Sequence, residues 1–265
     1  MDDKFLKRMD SELTGWADPV ARLQQAIEKD EFALYCQPVL SLAPAGGYPM
    51  GEVLVRMREE EKALLPPGEF LPVFEHYRMM PQLDRWVVRN TLKRLAAGSR
   101  IHAFSVNLSG QTLQDGEFLR FVSAQLGIYK VAPERLLFEL DESDTLLHPD
   151  AVTRFAKSFH SLGVRMIVDG FGRRAVSFSV IQALAPAFVK VDGGITRKIL
   201  ASDVARNKMN AILRVGEALG FAAVAECVED QDVLMRLKAL NVSFAQGFGI
   251  YQPHPIDKLA GTPET

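Results

Sequence analysis

Cysteine is nearly absent from this sequence: Cys36 and Cys227 are the only two in 265 residues. That excludes a disulfide framework and any zinc site built on paired cysteines, and it suits a reducing compartment. Histidine is scarce as well. None of the five has the paired spacing of a zinc site, and His102 and His254, near a strand end and the final loop, read as surface residues. No apolar run approaches the length of a membrane span, and the opening MDDKFLKRMD is too charged for a signal peptide, so the expected location is the cytoplasm. Neither charge sign is in excess. The formal net charge is -2 and the pI is about 6.2, which removes any general attraction to nucleic acid or to an acidic membrane surface. A polyanion site must therefore be local.

What is present is an alternation of β-branched or aromatic runs with amphipathic helical stretches, with no low-complexity linker to divide it. Strands are predicted over 32–40, 52–57, 103–109, 136–140, 164–169, 188–192, 221–226 and 243–248. Asp18 followed by Pro19 marks a helix start, and Gly98, Gly127, Gly163, Gly220 and Asn241 are predicted helix stops. Val152, Phe155, Ala156, Phe159 and Leu162 form one apolar stripe that fits packing on a sheet. Eight strands separated by helices predict an α/β fold of the (β/α)8 TIM-barrel type. An open doubly wound sheet is the alternative, although no glycine-rich phosphate turn follows the first strand.

Polar residues stand at the strand ends: Gln37, Glu52 with Arg56, Asn107, Glu139, Asp169, Lys190 with Asp192, Glu226 and Gln246. A lone strand-end Asp or Asn caps a helix or bonds a turn. Eight strand ends converging on one barrel face instead describe a single pocket of carboxylates, amides and a lysine. Lys190 lies between Val189 and Val191, so alternation turns it into the barrel if the valines pack outward, and Glu139, Asp169 and Glu226 are its candidate counter-charges. Oxygen donors without Cys or His favour a hard divalent ion, Mg²⁺, Mn²⁺ or Ca²⁺. Such a pocket allows phosphodiester hydrolysis or metal-assisted proton abstraction, and the residue types alone leave both open.

The stretches YCQPVLSL, GEVLVRM, FSVNLSGQTL, LLFELDESD, VDGFG, FVKVDGGI, AVAECVEDQDVLMRLKALNV and AQGFGIYQPHP occur in the order and at about the spacing of the EAL-domain family, cyclic di-GMP phosphodiesterases and their inactive relatives, which the chain resembles over about residues 20–257. The resemblance implies a barrel whose first strand is antiparallel and a domain over 18–265, with 1–17 as an N-terminal extension or linker. It implies Glu52, Asn107, Glu139 and Asp169 as ligands of a first Mg²⁺ or Mn²⁺ ion, and Asp169 with Glu226 at a second. Lys190 matches the lysine that orients the attacking water, which makes Glu52, Lys190 and Glu226 the expected catalytic set. Gln37, Leu54, Arg56, Asn107, Glu229 and Gln246 match ligand-binding or supporting positions, and the planar fork of Arg56 suits a phosphate.

The sequence also departs from that pattern. The Ala of the signature is Val53, a Thr position is Asp141, and the family's second aspartate, a ligand of the second ion, is Gly170, followed by Phe171, Gly172, Arg173 and Arg174. Losing a carboxylate leaves a single ion, or none, as the expected metal content. Arg173 or Arg174 turning inward to meet a ligand phosphate is one expectation for the rewritten loop; solvated arginines are the other. Three functional readings follow: a degenerate domain that binds cyclic di-GMP with weak or no hydrolysis and informs a signalling partner protein or fused domain; an active phosphodiesterase releasing linear pGpG; and a protein-interaction scaffold without nucleotide. Homodimerisation is the habit of the family, and the altered loop bears on its usual interface.

Overall fold

The computed structural model describes residue 16 and residues 18–58, 64–173 and 178–259, with 178–180 described in backbone only. The expected extension over 1–17, apart from Trp16, and the Arg174 side chain lie outside the described residues. Trp16 itself is buried in the core, with the Arg22 guanidinium 5.7 Å from its ring centre.

Helix α1, Pro19–Glu28, begins where predicted: the Asp18 carboxylate accepts from the Ala21 N–H and Pro19 fills the first helical position. Strands β1, Phe32–Ser41, and β2, Met50–Met57, then run antiparallel with Gln37 opposite Glu52. From β2 onward every neighbouring pair is parallel: β3 Ala103–Leu108, β4 Leu136–Asp141, β5 Arg165–Phe171, β6 Phe188–Val191, β7 Ala222–Ala225 and β8 Phe244–Ala245. Antiparallel pairing of β8 with β1, through Leu40 and Ala245, closes the barrel, and a short ninth strand, β9 His254–Pro255, adds to β1. Helices α2 Pro67–His76, α3 Met80–Ala96, α4 Phe118–Tyr129, α5 Glu142–Leu147, α6 Pro149–Leu162, α7 Phe178–Leu184, α8 Gly193–Thr196, α9 Asp203–Leu219 and α10 Gln231–Ala239 connect the strands. Among the described residues no helix is long and apolar enough to cross a membrane.

The interior is layered by the two-residue period of the strands. One apolar layer takes a residue from each of the eight: Val39, Met50, Ala103, Leu137, Ile167, Phe188, Val224 and Phe244. Two residues further along each strand in β2 to β8, and two residues earlier in antiparallel β1, stand Gln37, Glu52, Ser105, Glu139, Asp169, Lys190, Glu226 and Gln246. The alternate positions face outward and pack on the helices. Phe138, for example, meets Phe118, Phe155 and Phe159, and the predicted stripe on α6 is buried from Val152 to Phe159.

Four of the predicted helix stops hold: Gly98, Gly163, Gly220 and Asn241 all have positive φ at or just past a helix end. Gly127 does not. It lies inside α4, which continues to Tyr129 because the left-handed position is taken by Lys130 at φ +53 and the last turn buries Leu126.

The loop after β3 is pinned from below by a buried acid. Asp84 on α3 accepts from the Ser109 N–H at 3.1 Å, the Ser109 hydroxyl at 2.9 Å and the Thr112 hydroxyl at 2.6 Å. Burial pushes its carboxyl up to about 6 despite those bonds. An acid raised in this way binds its proton more tightly folded than unfolded, so its contribution to stability is fully present below its ordinary value near 3.8 and is lost as the pH rises through about 6. Urea midpoints of the wild type and Asp84→Asn should therefore diverge with pH: the wild type loses ground relative to the variant between about pH 4 and 6. A constant difference over that range would show that Asp84 does not titrate there.

Candidate functional site at the barrel mouth

Lys190 is 2% exposed and its ammonium is the hub of the polar layer. It donates to Glu52 Oε2 at 2.7 Å and to Glu139 Oε2 at 2.8 Å, and Glu226 Oε1 lies 3.6 Å away. Several further acceptors are engaged as well, although Gln246 Oε1 is buried without a partner among the described residues. Asn107 Nδ2 donates to Glu52 Oε1 at 2.8 Å, Gln246 Nε2 donates to Glu52 Oε2 at 2.9 Å and to Gln37 Oε1 at 3.3 Å, and the Ser105 hydroxyl bonds Glu139 Oε1. Gln37 in turn donates to the Tyr251 carbonyl at 3.0 Å, which ties β1 to the final loop.

The charges do not balance within this cluster. One ammonium faces Glu52, Glu139, Asp169 and Glu226, and the three glutamates shift accordingly. Burial, with the charges of Glu52 and Asp169, pushes Glu139 up to about 8 against the pull of Lys190. Burial, with Asp169 and Glu52, brings Glu226 to about 7. Glu52 is also buried, but the Lys190 charge and the bonds from Lys190, Asn107 and Gln246 outweigh that cost and hold it below its ordinary value. Burial would discharge Lys190, and the surrounding carboxylates instead raise it well above its ordinary value, so it is a fixed cation.

Asp169 Oδ1 is buried and has no hydrogen-bond partner among the described residues. An orphaned carboxylate oxygen beside surplus negative charge is a fit for one hard divalent cation, with Glu52, Asn107 and Glu139 as the other oxygen donors. Asn107 now turns its Nδ2 toward Glu52, so ligation by its oxygen requires the amide to turn over. As arranged around Lys190, no three of His, Cys, Asp and Glu among the described residues form an assembled metal cluster. A second ion finds a poorer fit. β5 bulges between Val168 and Phe171, Gly170 sits at φ +66 without a side chain, and Arg173 Nη2 lies 2.6 Å from the place a Cβ there would take.

Around this layer the other expected residues divide into groups. Gln37, Glu52, Glu226, Cys227, Glu229, Gln246, Gly247 and Phe248 line a cavity of about 160 Å³. Leu54 and Asn107 line a second, more apolar cavity of about 300 Å³ between the β2–β3 edge and α2–α3. Arg56 lies on the same face of β2 as Glu52 and Leu54, four residues or about 13 Å beyond Glu52, and its guanidinium rests 5.6 Å from the Tyr35 ring centre. Ser105, Cys227, Gly247 and Phe248 lay outside the predicted set. Ser105 is signalled by its position two residues before Asn107 on the same strand face. Gly247 has no signal of its own: a Cβ there would meet the Val228 carbonyl at 2.1 Å, so only glycine lets the Gln246 segment close on the Glu226–Glu229 loop.

The chain belongs to the EAL-domain family, whose model matches residues 20–253. The cyclic di-GMP phosphodiesterase PdeB of Shewanella oneidensis is 29% identical over 244 residues, which is 91% of this chain and 28% of PdeB. The chain thus spans less than a third of the length of that curated relative. The structure described as PaMucR phosphodiesterase in a c-di-GMP complex superposes with a TM-score of 0.84 at 26% identity, covering 91% of this chain and 99% of the other. The FimX EAL domain from Pseudomonas aeruginosa, bound to c-di-GMP, gives 0.83 at 27% identity, covering 89% and 96%.

Lys190→Met tests the charge hub. Removing the ammonium leaves buried carboxylates uncompensated, at a cost of about 3–5 kcal/mol. Those carboxyls then bind protons more tightly folded than unfolded, so the loss measured by chemical denaturation should be smaller at about pH 5 than at about pH 8. Equal losses at both would assign Lys190 a packing role.

Proposed function

We propose that this domain binds cyclic di-GMP in the mouth of the barrel and hydrolyses it weakly or not at all, serving as a receptor in cyclic di-GMP signalling. Recognition is supported by the retained contacts of Glu52, Asn107 and Gln246, by Arg56 as a planar donor for a phosphate, and by two cavities flanking Glu52 and Asn107. Glu52, Asn107, Glu139 and Asp169 would hold one Mg²⁺ or Mn²⁺, which when bound supplies charge neutralisation at the phosphate and acidifies a water. Lys190, Glu226, Glu229 and Gln37 position the ligand and its surroundings.

The observation that carries the loss of chemistry is Gly170, which offers no carboxylate and has the Arg173 guanidinium over it. Two-ion phosphoryl transfer depends on paired cations held to within fractions of an ångström, whereas ligand binding tolerates more change. In this reading the domain covers 18–265, works in the cytoplasm, and reports ligand occupancy through a homodimer, a partner protein or a fused domain reached through 1–17. An active phosphodiesterase releasing linear pGpG is the second reading. It is favoured by the intact Lys190 contacts to Glu52 and Glu139, with Glu229 near enough to the pocket to fill the coordination gap.

The test is calorimetric titration with cyclic di-GMP in Mg²⁺, alongside chromatography of a stoichiometric mixture followed for hours. Saturable binding is expected, with product forming at least about a thousandfold below the ordinary enzyme range of ~1 per second. Multiple turnovers lost in Glu52→Ala would establish the enzyme instead, and neither binding nor product would leave the scaffold.

A further inference from the structure

The β5 bulge reverses the chain tightly. The Arg173 N–H bonds the Gly170 carbonyl at 3.2 Å, and the Gly172 N–H bonds Glu142 Oε1 at 3.0 Å from the start of α5. This turn folds the Arg173 side chain back over Gly170, where its Nη2 and Cζ stand 2.6 and 2.9 Å from the position of a Cβ. No side chain at 170 can coexist with the guanidinium in this place, since real Cβ contacts do not come so close.

Two carboxylates hold the guanidinium there. Arg173 Nε donates to Asp192 Oδ2 at 3.0 Å and Nη1 to Asp141 Oδ2 at 3.5 Å. Neither acid is free to follow a moving arginine, because each uses its other oxygen as a helix cap: Asp141 Oδ1 accepts from the Ser143 N–H at 2.7 Å and Asp192 Oδ1 from the Gly194 N–H at 2.9 Å. The clasp occupies Nε and Nη1. Nη2 has no hydrogen bond among the described residues, and the side chain is 49% exposed, so donors remain for a ligand immediately beside Asp169. Asp141, Gly170 and Arg173, three separate departures from the family pattern, therefore meet in one structure.

We infer that Arg173 is a built-in cation of the ligand site: clasped by Asp141 and Asp192, it presents Nη2 to a phosphodiester oxygen in the region a second divalent ion would otherwise serve. The inference rests on the proposed binding of cyclic di-GMP. Its consequence is that binding tolerates removal of divalent ions. A guanidinium can neutralise and orient the phosphate, but it cannot bind a water and acidify it as a metal does.

Cyclic di-GMP affinity is measured by calorimetry for the wild type, Arg173→Ala, Arg173→Lys and Gly170→Asp, each in EDTA and in Mg²⁺, with thermal unfolding to confirm the fold. The wild type is expected to bind in EDTA. Arg173→Ala should lose on the order of tenfold to a hundredfold there, and Arg173→Lys should recover part of the loss as a point charge without the fork. Gly170→Asp, which must displace the guanidinium, should weaken binding in EDTA to a similar extent and regain it in Mg²⁺. Unchanged affinity of folded Arg173→Ala, or of Gly170→Asp in EDTA, overturns the role of Arg173 and leaves the receptor reading standing. Wild-type binding that requires Mg²⁺ also overturns it. Absence of wild-type binding under both conditions removes the receptor reading itself.

Discussion

A buried ammonium group that must be neutralised organises this barrel. Lys190 stands at 2% exposure in the interior, where an unpaired charge would cost several kcal/mol, and it persists because Glu52 and Glu139 lie 2.7 and 2.8 Å away. Those glutamates come from β2, across the ring from β6, and from β4, with only β5 between it and β6, so the contact ties opposite sides of the barrel together. Asn107 and Ser105 satisfy the oxygens of Glu52 and Glu139 that Lys190 does not reach, while Gln246 shares Glu52 Oε2 with it and donates to Gln37. What remains unsatisfied, Asp169 Oδ1, Gln246 Oε1 and the excess of carboxylates, gives the pocket its appetite for a cation.

Much of this arrangement was legible because a strand has a period of two. Once Val189 and Val191 are packed outward, Lys190 must point inward, and the same parity places Glu52, Glu139 and Asp169 on its face. The antiparallel first strand came from the family resemblance, and the eight strands were located to within a few residues. Less legible was anything decided by contacts distant in sequence. Nothing local marks Asp84 as the buried acceptor for Ser109 and Thr112, or Gly247 as the point where two backbones touch. Gly127 misled because the left-handed position favours glycine without being confined to it, and the burial of Leu126 carried the helix two residues past Gly127, to Tyr129, with Lys130 as the left-handed cap.

The rewritten loop after Asp169 shows how one lost carboxylate can propagate. Without a side chain at 170 the backbone adopts a left-handed bulge, the bulge brings the chain back over itself, and Arg173 enters the space. Asp141 then gains a purpose beyond capping α5, since an arginine above a pocket rich in carboxylates needs an anchor on its outer side. The sequence posed this as a choice between inward and solvated arginines. For Arg173 the structure is intermediate, half exposed yet fixed by two acids beside the site.

The central claim is that the pocket keeps a place for one cation beside Asp169 and has given the second to an arginine. Diffraction at the manganese absorption edge, from crystals grown with cyclic di-GMP and Mn²⁺, addresses it directly. A single anomalous peak against Asp169, with Arg173 still over Gly170, is the expected result. Two peaks in the pocket, with Arg173 swung away from Asp141 and Asp192, would contradict it.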